Sequence, residues 1–311
     1  MTTPNIDLFD EVVKFPNGEA LARYADLVGL DDVKKRVTDY LHLVADPACI
    51  DNWAKKHHRN GVAFARGLTA LPRLVIFGGD VGTGKTALGE TLGAAVAKTE
   101  KIPVTLFRLS LRVRGTGIVG EMTKLLGDAF AEVRGFSADR KRGRGQASGL
   151  ALLLVDEADA LAQSRSALHM HHEDRAGVNA LIRGIDDITT GQLPIAVILC
   201  TNRAEAIDPA VCRRAVETFV FRRPDLAKCL QVLKTALNGA MFSGAQLHDI
   251  AEAMGPRDGR DYGYTYSDIL QRFVPQLVLG AASADVPITF TNARDLAMSM
   301  QPTPPFRGSG S

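Results

Sequence analysis

Cysteine is scarce and unpatterned. Cys49, Cys200, Cys212 and Cys229 show no paired spacing, which argues against a disulfide framework or a cysteine zinc site and fits reduced thiols in a cytosolic protein. Long hydrophobic runs are missing as well. No stretch of eighteen apolar residues occurs, so no membrane span is expected. Met1 to Asp10 carries acids and no apolar core, unlike a secretory signal. Charge of one sign is lacking: 37 Lys and Arg stand against 35 Asp and Glu, a formal net charge of +2, which does not suggest a dedicated polyanion binder. No internal repeat is visible. What remains is a chain of 311 residues, 46% apolar, with room for two domains and a substantial core.

The strongest local signal is Gly79-Asp80-Val81-Gly82-Thr83-Gly84-Lys85-Thr86, which fits the phosphate-loop pattern G-x-x-x-x-G-K-[ST] at every fixed position. Its context agrees. Leu74-Val75-Ile76-Phe77 reads as a buried parallel strand, and Lys85 to Lys98 reads as a helix rich in Ala, Leu and Glu. Strand, glycine loop and helix N-terminus make an anion site from backbone N–H groups and the helix dipole. Residues Asp80, Val81, Gly82, Thr83, Gly84, Lys85, Thr86 and Ala87 are therefore expected to bind a polyphosphate. Lys85 should reach the β- and γ-phosphates, and the Thr86 hydroxyl should hold Mg²⁺.

A second strong motif is Ala151-Leu152-Leu153-Leu154-Val155-Asp156-Glu157, five apolar residues and then acids at the carboxyl end of a central strand. Asp156 is expected to orient Mg²⁺ and its waters, and Glu157 to polarise the water that attacks the γ-phosphate. Val104 to Phe107, Ile195 to Cys200 and Glu217 to Phe221 read as further strands. Asn202 sits at the polar tip of the Ile195 strand, and Arg213 and Arg214 close a short helix after Asp208. From Pro224 onward apolar residues recur at helical spacing: Leu226, Leu230, Leu233, Leu237; Leu247, Ile250, Met254; Ile269, Leu270, Phe273, Leu277. This region reads as a small helical lid.

Elsewhere the reading is more open. Residues 1–25 are mixed and short of periodicity, an arm or small docking element. Asp31 or Asp32 can cap a helix carrying Val33, Val37, Tyr40, Leu41 and Val44. Residues 46–72 read as polar and irregular, with Lys55 to Arg59 either a solvated face or a basic patch for a partner. Gly117-Ile118-Val119-Gly120-Glu121 is either a buried turn or an apolar pair that must touch something. Asp139 to Gly145 is basic and glycine-rich, a surface loop without the interleaved aromatics that would stack bases. His169, His171 and His172 lie on one polar stretch that could hold a metal but resembles an ordinary loop.

The order of these parts resembles the AAA+ ATPase superfamily over roughly residues 26–300. The resemblance implies an α/β phosphate-loop module, a parallel sheet flanked by helices, with a small C-terminal helical lid. The expected divisions are an arm at 1–25, the ATPase domain at 26–223, the lid at 224–300 and a tail at 301–311. It also implies adenine contacts at Val28 and Gly29 and a water-placing sensor at Asn202. Arg214, with Arg213 as second choice, would reach a neighbouring subunit's γ-phosphate, and Ile118 and Val119 would form a substrate-gripping pore loop. The usual lid arginine has no counterpart in Gly263 to Ile269, although Arg260 and Arg272 lie nearby. A finer match, Val178-Asn179-Ala180-Leu181 with Ile185-Asp186 and then Asp208-x-Ala210-x-x-x-Arg214-Ala215, looks like the ATPases that remodel HORMA-domain proteins. Their compact bacterial relatives sit in phage-defence operons with cyclic-oligonucleotide synthases. That resemblance implies a cytoplasmic ring, a hexamer, that uses Mg-ATP to disassemble a HORMA-domain complex and damp defence signalling. Membrane and nucleic-acid partners are not expected. The alternative is a nucleic-acid-associated ATPase switch of the transposition or replication type.

Overall fold

The computed structural model describes residues 8–58, 71–111, 121–141, 145–160 and 172–306. They fall into two compact units. The first holds Met1–Asp26, Asp32–Gly78 and Thr86–Val220, and the second holds Leu27–Asp31, Gly79–Lys85 and Phe221–Ser311.

The first unit is built on a six-stranded sheet. Its strands are β1 (Phe9–Phe15), β2 (Leu74–Gly79), β3 (Val104–Leu109), β4 (Leu150–Val155), β5 (Ile195–Thr201) and β6 (Ala215–Phe221), in the spatial order β1-β3-β4-β5-β2-β6. β3, β4, β5 and β2 pair in parallel, whereas β1 runs antiparallel to β3. Every residue of β4 and β5 is buried. That is why these strands read as continuous apolar runs rather than as an alternation: both faces of the sheet are covered.

The helices of this unit are α1 (Gly18–Asp26), α2 (Asp31–Ala45), α3 (Ala48–His57), α4 (Lys85–Glu100), α5 (Glu121–Ala138), α6 (His172–Gly191) and α7 (Pro209–Cys212). One sheet face packs against α5 and α6. Leu126, Phe130 and Val133 meet Val178, Leu181 and Ile185 over Phe107, Leu153 and Val197. α4 takes the other face through glycines: a Cβ at Gly89 would lie 2.8 Å from the Leu154 side chain, and one at Gly93 would lie 2.4 Å from the Phe15 ring.

Two segments differ from the sequence expectation. Residues 9–15, read as part of an arm, add a strand to the sheet, with Phe9 opposite Leu109 and Phe15 opposite Val104. A register irregularity between Phe9 and Glu11 breaks the period of two, so the strand carries no alternation to read. Within the stretch read as irregular, Ala48–His57 is a helix, and only Ala54 on it is buried, which leaves too narrow an apolar stripe to detect.

The second unit is helical: α8 (Leu226–Ala236), α9 (Gly244–Ala253), a π-helical turn (Asp268–Phe273) running into α10 (Val274–Ser283), and α11 (Phe290–Ser299). Local chemistry sets the starts. Asp225 caps α8 by accepting from the Lys228 N–H at 2.9 Å, and Ser243 and Gln246 form a reciprocal capping box on α9. Thr289 caps α11. The core between them is Cys229, Leu233, Ile250, Met254, Tyr264, Ile269, Phe273, Leu277 and Ala297. Among the described residues no helix is long and apolar enough to cross a membrane.

Candidate functional site

The phosphate loop leaves β2 at Gly79 and enters α4 at Lys85. Its glycines adopt conformations that other residues resist: φ is +148° at Gly79, +72° at Gly82 and +95° at Gly84. Close approach also demands them. A Cβ at Gly79 would sit 2.0 Å from the Phe221 carbonyl oxygen, and one at Gly82 would sit 2.7 Å from Thr265 Oγ1. Lys85 is nearly buried, and its Nζ donates to the carbonyls of Gly79 at 2.8 Å and Asp80 at 2.7 Å. The Thr83 hydroxyl donates to the Asp80 carbonyl as well. These bonds tie up the loop's carbonyl oxygens next to an ammonium group and a helix N-terminus, the chemistry a polyphosphate needs.

The turn at 27–31 belongs to the same unit as the loop. Val28 packs on the helical core, and Leu30 is buried and lies 3.2 Å from the position a Gly84 Cβ would take. Gly29 has φ +78°, and a Cβ there would fall 2.6 Å from the Tyr266 hydroxyl. Burial, and then Asp225, pushes the Tyr266 phenol up to about 12, so it remains a neutral hydroxyl at physiological pH.

In the sheet unit, Thr86 Oγ1 donates to Asp156 Oδ1 at 3.1 Å. A hydroxyl and a carboxylate side by side form a hard-oxygen pair that fits Mg²⁺. Glu157 follows at φ +50°, a left-handed conformation costing a β-carbon residue roughly 1–2 kcal/mol. Its backbone N–H donates to Asp156 Oδ1 at 3.0 Å, and the residue is exposed. Such strain at an exposed carboxylate fits a group held out for use. Arg108, which sequence reading did not single out, reaches Asp156 Oδ2 at 3.6 Å and bonds Glu90 at 2.9 Å, while Arg23 bonds the other Glu90 oxygen at 3.0 Å. Arg108 stands at the carboxyl end of β3, the sheet edge where such groups collect.

Asn202 is half-buried just beyond β5. The two arginines differ. Asp208 caps α7, which ends at Cys212. Arg214 is clamped by Asp186 of α6, Nε to Oδ1 at 2.6 Å and Nη2 to Oδ2 at 2.9 Å, and its Nη1 bonds the Ala210 carbonyl. Arg213 is exposed, and its Nε bonds its own turn, at the Pro209 carbonyl. The lid arginines are engaged locally: Arg272 bonds Asp268 at 2.8 Å, and Arg260 is buried against the Gly255 carbonyl and the Tyr264 ring. Ile118 and Val119, the basic run Arg142 to Arg144 and the pair His169 and His171 lie outside the described residues.

Residues 75–223 match the model of the ATPase family associated with various cellular activities (AAA). CD-NTase-associated protein 6 of Escherichia coli strain MS 115-1 is 45% identical over 304 residues, spanning 97% of both chains. The chain belongs to the CD-NTase-associated protein 6 family of AAA ATPases. Members of this family bind nucleotide, and the chain is an ATPase. A second member, from E. coli strain KTE188, is 36% identical over 96% of this chain and 97% of its own.

Solved structures agree with that membership. A chain in the E. coli MS115-1 HORMA:CdnC:Trip13 complex is 44% identical and superposes with a TM-score of 0.91, covering 98% of this chain and all of that one. Rhizobiales Trip13 is 39% identical with a TM-score of 0.76, covering 96% of this chain and all of its own. C. elegans PCH-2, at 18% identity and a TM-score of 0.65 over 92% of this chain and 73% of that one, shares the fold.

Proposed function

We propose that the protein is a cytoplasmic, ring-forming Mg-ATP-driven remodeller that partly unfolds a HORMA-domain protein and so disassembles its complex, damping defence signalling. One observation carries this reading: the likeness, over nearly the whole of both chains, to the ATPase in the HORMA:CdnC:Trip13 complex.

In this reading Val28 and Gly29 take the adenine, and the loop from Asp80 to Gly84, with Lys85 and Ala87, takes the phosphates. Thr86 and Asp156 would hold Mg²⁺, which would supply positive charge to neutralise the phosphates. Glu157 accepts the proton of the attacking water, and Asn202 fixes that water against the γ-phosphate. Arg214 of the partner subunit stabilises the transition-state charge, a contribution on the order of a thousandfold in turnover. Asp186 fits this role as the group that holds the guanidinium in place by a two-point bond. Ile118 and Val119 grip the inserted polypeptide in the pore of a hexamer.

Glu157→Gln removes the base and keeps the binding groups. It should bind ATP with near wild-type affinity, lose turnover by about a hundredfold or more, and retain the HORMA-domain partner on a pull-down in ATP. Wild-type turnover in this variant would show that the proton goes elsewhere.

A further inference from the structure

The phosphate loop carries a group that ought to oppose its work. Asp80 is the second residue of the loop, and its carboxylate is a like charge beside a polyphosphate site. It is held off solvent, its side chain 19% exposed, and both oxygens are engaged. Oδ2 accepts from Arg223 Nε at 2.7 Å. Arg223 Nη2 lies 2.6 Å from the same oxygen, completing an ion pair. Oδ1 accepts from the Val81 N–H at 2.8 Å and from the Phe306 N–H at 3.2 Å. Arg223 is itself fixed: Nη1 donates to the Gly263 carbonyl at 2.6 Å, and the guanidinium lies 5.1 Å from the Tyr262 ring centre. A second tie holds the loop from the same unit, the Ser267 N–H donating to the Gly82 carbonyl at 3.1 Å.

We propose that Arg223 is a positioning residue of the ATPase site: it neutralises Asp80 and fixes the phosphate loop to the segment at Gly263, and so sets nucleotide affinity. The inference rests on the reading that Gly79 to Thr86 takes the triphosphate. A guanidinium suits the task because it bridges a carboxylate and a carbonyl while lying on an aromatic face, and no lysine can do all three. With Arg223 removed, Asp80 is an uncompensated, mostly desolvated charge within the anion site. With Asp80 also neutral, the need for a counter-charge disappears. Pairing therefore predicts strong non-additivity, which a general packing role for Arg223 does not.

The experiment is titration of the full-length protein with a fluorescent ATP analogue and Mg²⁺, together with turnover at saturating ATP. Arg223→Gln is expected to weaken binding at least tenfold while kcat stays within about twofold, and the deficit should shrink at high salt. Asp80→Asn is expected to bind at least threefold more tightly than Arg223→Gln, and the double variant should match Asp80→Asn rather than Arg223→Gln. Arg223→Lys, which keeps charge without the bridge, is expected to weaken binding about threefold and serves if Arg223→Gln does not fold. Wild-type affinity in both Arg223 variants, or a double variant as weak as Arg223→Gln, overturns the proposal. Lys85→Ala separates the two readings. If it binds the analogue normally, the loop is not the triphosphate site and both fall. If it loses binding while the Arg223 variants keep theirs, only the positioning role falls.

Discussion

Asp268→Asn tests how the helical unit is held together. Asp268 is fully buried, and its carboxylate accepts four bonds: Oδ2 from the N–H groups of Thr265 and Thr303, both at 3.0 Å, and Oδ1 from Arg272 Nη1 at 2.8 Å and the Thr303 hydroxyl at 2.7 Å. An asparagine of the same shape must turn its NH₂ toward one of these donor pairs. Facing the two backbone N–H groups would leave buried donors unmet, so the cheaper pose faces Arg272 and Thr303, where the hydroxyl can rotate to accept and the half-exposed guanidinium can find water. Two charge-assisted N–H bonds become neutral and one ion pair is lost, a cost of about 2–4 kcal/mol after allowing for the exposure of Arg272. For a chain of this size that is a fall in Tm of roughly 3–6 °C, read by differential scanning calorimetry.

The pH dependence is a second reading of the same variant. Burial alone would raise the Asp268 pKa, but the bonds from Thr265, Thr303 and Arg272 outweigh it and hold the carboxyl below its ordinary value. A depressed folded pKa contributes stability that is fully present above the unfolded value, about 3.9, and fades as pH falls toward the folded one. The gap between wild type and variant should therefore stay constant from pH 8 to pH 5 and narrow below about pH 4. A gap under about 0.5 kcal/mol at pH 7, or one that closes between pH 8 and pH 6, would refute this bonding scheme.

Two further outcomes are expected. Gly29→Ala puts a Cβ 2.6 Å from the Tyr266 hydroxyl at a φ of +78°; nucleotide affinity should drop at least fivefold, and Tyr266→Phe in the same chain should restore part of it, measured by the same titration. Asp186→Asn loosens the two-point clamp on Arg214. Because that pair is partly exposed, stability should change by about 1 kcal/mol or less, while turnover falls several-fold with nucleotide affinity unchanged.

Much of the sheet was legible because its strands are buried on both faces, so that β4 and β5 announce themselves as unbroken apolar runs ending in Asp156 and Asn202. The phosphate loop was legible because its fixed positions answer to backbone geometry, a positive φ at Gly79 and Gly84 among them. β1 was hidden by its irregular register, and α3 by having one buried residue. Pairings between distant residues left no local trace: Arg223 with Asp80 is separated by 143 positions, and Arg108 reaches Asp156 from another strand. A charge inside the phosphate loop was the available clue to the first, since a carboxylate there calls for a cation from somewhere. Arg214 and Arg213 are adjacent in sequence, and only the fold separates them, one clamped by Asp186 and the other exposed.

The central claim is that ATP turnover is coupled to handling a HORMA-domain protein. The most direct measurement is the steady-state ATPase rate, with Glu157→Gln as the blank, in the presence of a purified HORMA-domain protein or of duplex DNA. The account predicts several-fold stimulation by the protein, loss of that stimulation in Ile118→Ala, and no response to DNA. Stimulation by DNA alone, or a response to the protein that Ile118→Ala leaves intact, would contradict it.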